Sequence, residues 1–583
     1  MVDALLAPVI AAVEAEGARL RAEFFRPQGP RGYRGHCEVD REIEERLREA
    51  LMALLPASFA GEETGMTTGA QAGWTWMVDP HDGTYEFMAG RGGSAISVAL
   101  LRGPVPVLGV VCCPLSPDRG HDTIAWAEGA GPLLRNGAPV ASDLARRALA
   151  PGELVWATAS SAHKPLTWSL AVTPARYVAM PSIAYRMARV AAGDGVATVS
   201  VHGVAEYDVA AGIALIAAAG GVALDAEGRD IVLQGQAASR LSGLFAGAPQ
   251  AAQALARFSW SRLEDEPRRE PRVPLRFPRR ERGELTRAQG CLLGQVIGDS
   301  LGSLVEFRTP QEIAERYPRG VRELADGGVH HTIAGQPTDD SEMALALART
   351  LLAAGAYEVE AVREAYRAWL QSRPFDVGET TQRGLLGLHT TESESNGSLM
   401  RVSPIGVWAA GDPALAAASA RLDSALTHPN PVCLDACAAY CAAIAAGVAG
   451  ASREDMVQAA LAHCGGSVQA ALEANARPAQ FMARQGWVLI ALQNAFYRLR
   501  SGEPLEEALV ATVGCGGDTD TNAAVAGALL GALHGREAFP PRWILPVLAC
   551  RPAAEAGAPR PRPMSLWPDD LLDLAHALLA LRG

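Results

Sequence analysis

The N-terminal half of the chain places several carboxylates where they can meet. Glu62 follows a predicted helix, and the string WMVDPHDGT at 76–84 begins as an apolar strand. Asp79 ends that strand, and the proline and glycine after it turn the chain back so that Asp79 and Asp82 converge. Because like charges disfavour ionisation, such a cluster calls for hard divalent cations, of which Mg²⁺ is the usual choice in phosphate chemistry.

Two more groups in this half could take part in the same chemistry, Asp208 or a phosphate at a helix start and the hydroxyl of Thr84. Asp208 lies in EYDVAAG, which opens a predicted helix whose N-terminus favours anions. The hydroxyl of Thr84 is placed to polarise a metal-bound water.

The C-terminal half carries a second set of acids at predicted helix starts. PTDDSEM at 337–343 and GGDTDTN at 516–522 each open a helix, and one Asp at each is explained by capping. Extra carboxylates add little to a cap, so DD and DTDT predict a binuclear site for hard metals. Upstream, glycines recur every four residues from 290 to 302, which predicts a smooth stripe for close helix packing.

The first set of motifs resembles the inositol monophosphatase superfamily of Mg²⁺-dependent phosphatases over roughly residues 3–250. That resemblance implies an α/β domain with an αβαβα layered fold. It implies that Thr84, with Asp40 behind it, orients the attacking water, and that the backbone at Gly83 and Thr84 holds the phosphate. The implied metal ligands are Glu62, Asp79, the carbonyl of His81, Asp82 and Asp208. His81 stands where the family usually has Leu or Ile, and the substrate stays open among inositol phosphate, a sugar phosphate and 3′-phosphoadenosine 5′-phosphate.

The second set resembles the ADP-ribosylglycohydrolase family over about 286–583, through GDSLG, TDDSEM, SNGSLMRVSPIG, THPN and GCGGDTDTNAAVAGALLGALHG. It implies an all-α fold with two Mg²⁺ or Mn²⁺ ions. Glu306 would be a ligand or acid/base group, and Asp376 would contact the distal ribose or handle the proton. The implied metal ligands are Thr338, Asp339, Asp340, Asp518, Asp520 and Thr521. The implied substrate-binding residues are Asp299, Ser398, Gly514, Gly516, Gly517 and His428.

Elements of two kinds position these motifs. In the first half, periodicity predicts helices over 3–24 and 40–54 and strands over 94–101 and 105–113. The second half reads as helical throughout, with predicted helices at 286–301, 341–355, 358–371, 414–421, 432–448, 453–462, 482–499, 504–513, 521–534 and 568–581. Residues 259–284 are dense in Arg, Glu and Pro, which predicts a linker without regular helix. We therefore expect a phosphatase-like domain over 1–258, a linker over 259–284 and a glycohydrolase-like domain over 285–583.

Composition excludes several classes of protein. Hydrophobic residues make up 49% and charged residues 20%, which is too apolar for a disordered chain. The net charge of −12 argues against a general or sequence-specific nucleic-acid binder.

The cysteines show no CxxC spacing, so neither a zinc site nor a disulfide framework is indicated. The N-terminus lacks the basic start of a signal peptide, and apolar runs such as 436–450 are shorter than a membrane span needs. We expect a bacterial protein in the cytoplasm, with no membrane partner.

These features together predict a bifunctional Mg²⁺-dependent hydrolase with two ions in each half. One half would act on a small-molecule phosphate ester, and the other would release ADP-ribose from an ADP-ribosylated substrate. Two alternatives stay open at this point: an active glycohydrolase with a ligand-binding regulator, and a non-catalytic ADP-ribose sensor. The ADP-ribosyl acceptor, the oligomeric state and the relative orientation of the halves are left open.

Overall fold

The computed structural model describes residues 2–33, 35–273, 282–388 and 390–582. Contacts divide the chain into two compact units, Met1–Pro271 and Arg272–Gly583. The two-domain organisation expected from the sequence, an α/β part followed by a helical part, is thereby confirmed.

The first unit contains eight helices and seventeen strands among its described residues. The helices are α1 Asp3–Phe24, α2 Glu38–Leu54, α3 Thr84–Met88, α4 Pro165–Val172, α5 Ile183–Ala191, α6 Glu206–Ala218, α7 Pro249–Ala256 and α8 Arg262–Asp265. The strands are β1 Gly32–Tyr33, β2 His36–Cys37, β3 Ala57–Gly61, β4 Gly65–Thr67, β5 Gln71–Asp82, β6 Ala95–Arg102, β7 Val105–Ser116, β8 Gly120–Ala127, β9 Leu134–Arg135, β10 Ala138–Pro139, β11 Leu154–Thr158, β12 Arg176–Met180, β13 Ala197–Ser200, β14 Val204–Ala205, β15 Val222–Leu224, β16 Arg240–Leu241 and β17 Leu244–Gly247.

Two sheets organise this unit. The larger has the strand order β10-β9-β8-β7-β6-β5-β3-β4 and is antiparallel except where β3 runs parallel to β5. The smaller has the order β12-β11-β13-β17-β15, with β11 parallel to both of its neighbours. Helices α5 and α6 contact strands of both sheets, whereas α1 and α2 contact the larger sheet.

Glycines on β7 and α1 show how closely helices approach the larger sheet. A Cβ on Gly109 of β7 would lie 2.5 Å from the Ala211 carbonyl oxygen of α6. A Cβ on Gly17 of α1 would lie 2.8 Å from Cys112 Sγ. Positions 109 and 112 differ by an odd number, so they point to opposite faces of β7. The strand is therefore covered on both sides, which explains its continuous apolar sequence.

The second unit is helical, as the sequence predicts. Its helices are α9 Arg282–Gly302, α10 Pro310–Arg316, α11 Asp339–Ala354, α12 Val359–Gln371, α13 Glu379–Leu385, α14 Ser403–Trp408, α15 Pro413–Ala425, α16 Pro431–Val448, α17 Arg453–Leu461, α18 Gly466–Glu473, α19 Val488–Ser501, α20 Leu505–Val513, α21 Thr519–His534, α22 Pro541–Leu548 and α23 Leu571–Ala580. Five of these, α10, α13, α14, α18 and α22, were not among the predicted helices. The predicted helix over 482–499 begins only at Val488.

The predicted glycine stripe is confirmed as the contact between α9 and α21. A Cβ on Gly294 would lie 2.0 Å from the Gly527 carbonyl oxygen, and one on Gly527 would lie 2.0 Å from the Gly294 carbonyl oxygen. Gly290 meets the backbone at Gly531 in the same way. The two backbones therefore touch, which is feasible only where neither helix carries side chains.

The predicted linker region is partly folded. Residues 262–265 form α8, and α9 already begins at Arg282. The carboxylate of Glu266 accepts hydrogen bonds from the amides of Leu166, 3.1 Å, and Thr167, 2.7 Å, at the start of α4. Lys164 Nζ donates to the Leu263 carbonyl. Residues up to 271 thus belong to the first unit; residues 274–281 of the predicted linker lie outside the described residues, and the domain boundaries stay a prediction.

One helix among the described residues, Pro431–Val448, is long and apolar enough to cross a membrane by length and composition. Of that window, 72% is buried inside the protein, as in the core helix of a folded domain. The cytoplasmic location expected from the sequence stays a prediction.

Candidate active sites

Strand β5 delivers the first carboxylates of the N-terminal site. Trp76, Met77 and Val78 are fully buried, so the strand fixes Asp79 at the inner end of the sheet. The strand does not end at Asp79, as the sequence predicts, but continues to Asp82. Asp79 Oδ1 accepts a hydrogen bond from the His81 amide at 2.8 Å, at the point where the pairing with β6 shifts register between Asp79 and Asp82. This shift in the strand is the physical basis for the predicted convergence of Asp79 and Asp82.

Gly83 completes the turn in a conformation that favours glycine. Its φ is +94°, and a Cβ there would lie 3.1 Å from Pro181 Cβ and 3.3 Å from the Ser182 amide nitrogen. A side chain would therefore be strained and crowded at once. Its predicted part in holding phosphate, with that of Thr84, stays a prediction.

The N-terminus of α5 holds Asp82 in place. Asp82 Oδ2 accepts from Ser182 Oγ at 2.6 Å and from the Ala184 amide at 2.8 Å. The buried guanidinium of Arg186, on the same helix, also acts electrostatically on Asp82. The sequence motif did not reveal these three partners, because they lie about one hundred residues further along the chain.

Glu62 and Asp208 complete the cluster from two further segments. Asp208 Oδ2 accepts from the Ala205 amide at 2.9 Å at the start of α6. Burial and the charge of Asp82 raise the pKa of Asp208 to about 8. Glu62 is exposed by residue surface area, yet its carboxyl group is surrounded closely enough that desolvation raises its pKa to about 7.

The electrostatics of this cluster fit a bound cation. Burial, together with the charges of Glu62, Asp82 and Asp208, raises the pKa of Asp79 well above its usual range. Four carboxylates that disfavour one another's ionisation are stabilised when divalent ions take up their charge. Glu62, Asp79, Asp82 and Asp208 therefore lie close enough to affect one another's ionisation, and an oxygen-only donor set suits Mg²⁺, while their roles and that of the His81 carbonyl as ligands stay a prediction.

Thr84 lies beside Asp40, as the resemblance implies. Thr84 Oγ1 donates to the His81 carbonyl at 2.6 Å and lies 3.4 Å from Asp40 Oδ2. Asp40 is buried on the first turn of α2. On the next turn, buried Glu44 accepts from the amides of Glu63, 2.9 Å, and Thr64, 2.7 Å, which fixes the loop that carries Glu62. Sequence reasoning missed Glu44, although its position on the apolar face of α2 was a signal.

In the second unit, Asp299 of α9 positions the TDD segment, residues 338–340, at the start of α11. Asp299 Oδ1 accepts from Thr338 Oγ1 at 3.0 Å, and Oδ2 accepts from the Ser341 amide at 3.1 Å. Asp299 is fully buried, and burial raises its pKa to about 6. These contacts tie α9 to the N-terminus of α11, so the structure gives Asp299 a scaffolding place, while its predicted substrate contact stays a prediction.

The acids of α11 and α21 meet where α9 ends. Thr521 Oγ1 donates to Asp340 Oδ2 at 3.3 Å, and burial with neighbouring carboxylates raises the pKa of both Asp340 and Asp520 well above the usual range. Asp340 Oδ1 is buried with no hydrogen-bond partner among the described residues. A buried carboxylate oxygen that has no hydrogen-bond partner and lies among other acids fits a ligand of a cation.

The remaining assigned ligands border this cluster. Asp339 Oδ2 accepts from the Gly378 amide at 3.3 Å, and burial together with Asp376 raises the pKa of Asp339 well above its usual range. Asp518 Oδ2 accepts from Asn396 Nδ2 at 2.7 Å. Thr338, Asp339, Asp340, Asp518, Asp520 and Thr521 are thus brought to one region, and their roles as ligands stay a prediction.

Glu306 is paired with a histidine that sequence reasoning missed. His330 Nε2 lies 2.6 Å from Glu306 Oε2 and 3.7 Å from Asp376 Oδ2. Burial raises the pKa of Glu306 to about 7, while the hydrogen bond with Glu306 raises the pKa of His330. Only the fold of the 327–332 loop, closed by the bridge between Gly327 and Thr332, brings it to Glu306.

Two predicted substrate contacts lie in the protein interior. Ser398 is fully buried, and its hydroxyl accepts from Ser424 Oγ at 2.8 Å. His428 is fully buried between Thr427 Oγ1 at 2.7 Å and Ser395 Oγ at 2.9 Å, and burial lowers its pKa to about 3. The structure therefore gives both residues scaffold contacts, while their predicted pocket-lining role stays untested.

The glycines of the GCGGD string hold the chain next to Glu306. Gly516 and Gly517 have φ of +72° and +76°. The Gly517 carbonyl accepts from the Phe307 amide at 2.8 Å, and the Gly517 amide donates to the Arg308 carbonyl at 3.1 Å. Gly514, by contrast, has φ of −64° at the end of α20. Substrate contact by Gly514, Gly516 and Gly517 stays a prediction.

Comparisons with known proteins match each unit to one family. A model of the inositol monophosphatase family matches residues 34–263, and a model of ADP-ribosylglycohydrolase matches residues 280–582. The ADP-ribosyl-[dinitrogen reductase] glycohydrolase of Rhodospirillum rubrum is 32% identical over 276 residues, which are 44% of this chain and 89% of that protein.

Two further relatives were found. The probable inositol 1-monophosphatase ImpA of Mycobacterium tuberculosis is 33% identical over 202 residues, covering 33% of this chain and 72% of that protein. A solved structure described as an ADP-ribosylglycohydrolase-related protein complex has 26% identity and a TM-score of 0.43, and covers 52% of this chain and 100% of that one. The chain therefore belongs to two hydrolase families: its N-terminal unit to the inositol monophosphatase family and its C-terminal unit to the ADP-ribosylglycohydrolase family.

Proposed function

We propose that the chain is a bifunctional, divalent-metal-dependent hydrolase. The N-terminal unit would remove phosphate from a small-molecule monoester, an inositol phosphate or a phosphorylated nucleotide or ADP-ribose. The C-terminal unit would hydrolyse an ADP-ribosyl bond and release ADP-ribose. The observation that carries this proposal is that each unit has its own cluster of buried carboxylates with raised pKa values, assembled from the residues that each family resemblance assigns.

Members of both families generally use Mg²⁺ or Mn²⁺, and we propose two ions in each unit. In the N-terminal unit the ions would neutralise the phosphate oxygens and lower the pKa of the attacking water. Glu62, Asp79, Asp82, Asp208 and the His81 carbonyl would hold them. We also propose that the helices and sheets of this unit form the layered αβαβα arrangement.

In the N-terminal unit, Thr84 and Asp40 would orient the attacking water. The Thr84 hydroxyl, which lies 2.6 Å from the His81 carbonyl and 3.4 Å from Asp40 Oδ2, would donate its proton to Asp40. The Thr84 oxygen would then accept a hydrogen bond from the attacking water and so orient a lone pair of that water towards phosphorus.

In the C-terminal unit, Glu306 and Asp376 would move the proton. Cleavage of an ADP-ribosyl bond passes through an oxocarbenium-like state in which the leaving group gains a proton and water loses one. A carboxyl group whose pKa is raised to about 7, as for Glu306, can give or take a proton near neutral pH. Thr338, Asp339, Asp340, Asp518, Asp520 and Thr521 would hold the cations.

Two assays on the full chain test this proposal. Phosphate release would be measured with inositol 1-phosphate, 3′-phosphoadenosine 5′-phosphate and p-nitrophenyl phosphate, and ADP-ribose release with an ADP-ribosylated arginine peptide, both with Mg²⁺ or Mn²⁺. Asp79→Asn should abolish only phosphate release, and Asp518→Asn only ADP-ribose release. The exposed-site variants Glu45→Gln and Glu364→Gln serve as matched controls and should change neither. Loss of both activities from either active-site change would contradict two independent sites.

A further inference from the structure

His81 makes contacts that an aliphatic side chain cannot make. Its Nδ1 lies 2.7 Å from Asp40 Oδ1, and its Nε2 lies 3.1 Å from Ser94 Oγ. His81, Asp40 and Ser94 are all buried, at 1%, 3% and 2% exposure. The edge-on ring of Phe87, with a centroid distance of 4.4 Å, fixes the plane of the imidazole. Leu or Ile, the usual residue here in the family that the sequence resembles, would leave both polar partners without these bonds.

The second carboxylate oxygen of Asp40 faces the water-orienting threonine. Asp40 Oδ2 lies 3.4 Å from Thr84 Oγ1, whose hydroxyl also lies 2.6 Å from the His81 carbonyl. A hydroxyl donates one proton, so these two oxygens compete for it. The orientation of the Asp40 carboxylate therefore decides whether the Thr84 hydroxyl can donate to Asp40 Oδ2 instead of to the His81 carbonyl. The other oxygen of that carboxylate, Oδ1, contacts the His81 ring.

A metal site at this place is excluded by geometry. Cys37 Sγ, Asp40 and His81 offer ligand atoms within 4.8 Å of one another, which is a donor set that zinc accepts. However, two tetrahedral ligands at about 2.0–2.1 Å from one ion lie roughly 3.3 Å apart. The 2.7 Å between His81 Nδ1 and Asp40 Oδ1 is shorter and is a hydrogen bond.

We propose that His81 is a positioning residue for phosphate-ester hydrolysis, which donates from Nδ1–H to Asp40 and so keeps the other Asp40 oxygen aimed at Thr84. The inference rests on the proposed function of the N-terminal unit. A carboxylate oxygen accepts hydrogen bonds, so in this proposal the ring nitrogen that faces Asp40 at 2.7 Å, Nδ1, carries a proton, while Nε2 lies 3.1 Å from the Ser94 hydroxyl. Partners that orient a catalytic group in this way are worth about 10–100-fold in activity.

Three variants separate positioning from packing. Asn places its side-chain NH₂ near the position of Nδ1, Gln places its own near Nε2, and Leu keeps the bulk with no donor. With p-nitrophenyl phosphate and saturating Mg²⁺, we expect His81→Leu and His81→Gln to lower kcat by about 10–100-fold with KM changed little. His81→Asn should recover most of that loss. The Mg²⁺ midpoint in thermal unfolding should be the same in all three, because the proposed ligand at this position is the backbone carbonyl, which all three substitutions retain.

The order of the variants decides the proposal. If His81 only fills space, Leu should be the most active and most stable variant, and Asn the poorest; that order would overturn positioning. Histidine ¹⁵N–¹H spectra supply a second readout without turnover: the resonance lost in His81→Asn should belong to an Nδ1-protonated ring, and an Nε2-protonated ring would refute the inference. Failure of the proposed function itself shows differently, as wild-type protein that releases no more phosphate than Asp79→Asn.

Discussion

Replacing Gly294 with Ala tests whether backbone contact between α9 and α21 assembles the glycohydrolase site. The new Cβ would lie 2.0 Å from the Gly527 carbonyl oxygen, where real Cβ contacts are not shorter than 3.0 Å, so the helices must separate by about 1 Å. Overpacking of this kind costs about 1–3 kcal/mol or more, whereas Ala instead of Gly in a helix gains about 1 kcal/mol. The contacted atom belongs to the backbone and cannot rotate away, so we expect a cost at the upper end of that range and a net loss of roughly 2 kcal/mol.

Gly283→Ala is the matched control in the same helix. Its Cβ meets only the terminal atoms of the flexible Arg287 side chain, at 2.8 Å from Nη1, so the helix-propensity gain should prevail. Urea unfolding of the full chain, followed with a probe in the C-terminal unit, would compare the two variants. ADP-ribose release should also fall in Gly294→Ala, since Asp299 of α9 and Asp520 of α21 flank the site. A Gly294→Ala protein as stable and active as Gly283→Ala would refute the reasoning.

Three further predictions follow from contacts within the units. Glu266→Ala should lower the stability of the N-terminal unit by about 1 kcal/mol in urea unfolding, because two amides at the start of α4 lose their acceptor; Glu266→Gln, which keeps an acceptor oxygen, should lose less. In chelated protein, the pKa values of Glu62, about 7, and Asp208, about 8, mean that the folded state binds protons that the unfolded chain releases near pH 4. The unfolding temperature of that unit should therefore fall as pH rises from 5 to 9, and a trend that persists in saturating Mg²⁺ would contradict the assignment of these acids to cations. His330→Ala should lower kcat for ADP-ribose release by about 10–100-fold, while the exposed neighbour variant His331→Ala should not; equal effects would count against a role through Glu306.

Sequence periodicity predicted the helices in which the helical spacing of apolar residues runs through one continuous stretch. The predicted 286–301 corresponds to α9, and 432–448 to α16, because long Ala- and Leu-rich runs allow no other element. The prediction of 482–499 was wrong over its first turns. Gly486 has a φ of +77°, and Trp487 pairs with Ser395 instead of continuing the helix, a tertiary contact that local propensity cannot contain.

From the residues alone, the convergence of site residues could be predicted only where they share a short string, whereas Glu62, Asp208 and Asp40 were assigned to the site by the family resemblance. Asp79 and Asp82, or Asp339 and Asp340, are adjacent within one motif, so their convergence follows from a single turn or helix start. Ser182 donates to Asp82 from a hundred residues further along the chain, and no sequence motif marks it as a partner of that carboxylate. Contacts between distant residues, such as Ser182 with Asp82, depend on how helices and strands pack, and local sequence does not show this.

The sequence contains one lysine, Lys164, which lies at a contact between two segments of the N-terminal unit. Its amine donates to the Leu263 carbonyl, in the segment that closes the N-terminal unit. Apart from the chain's α-amino group, an amine-reactive reagent therefore has one target in the whole protein. The rate at which the half-buried Lys164 is acylated would therefore change in variants that remove its hydrogen bond to the Leu263 carbonyl. Mass spectrometry could follow the modification in the full chain.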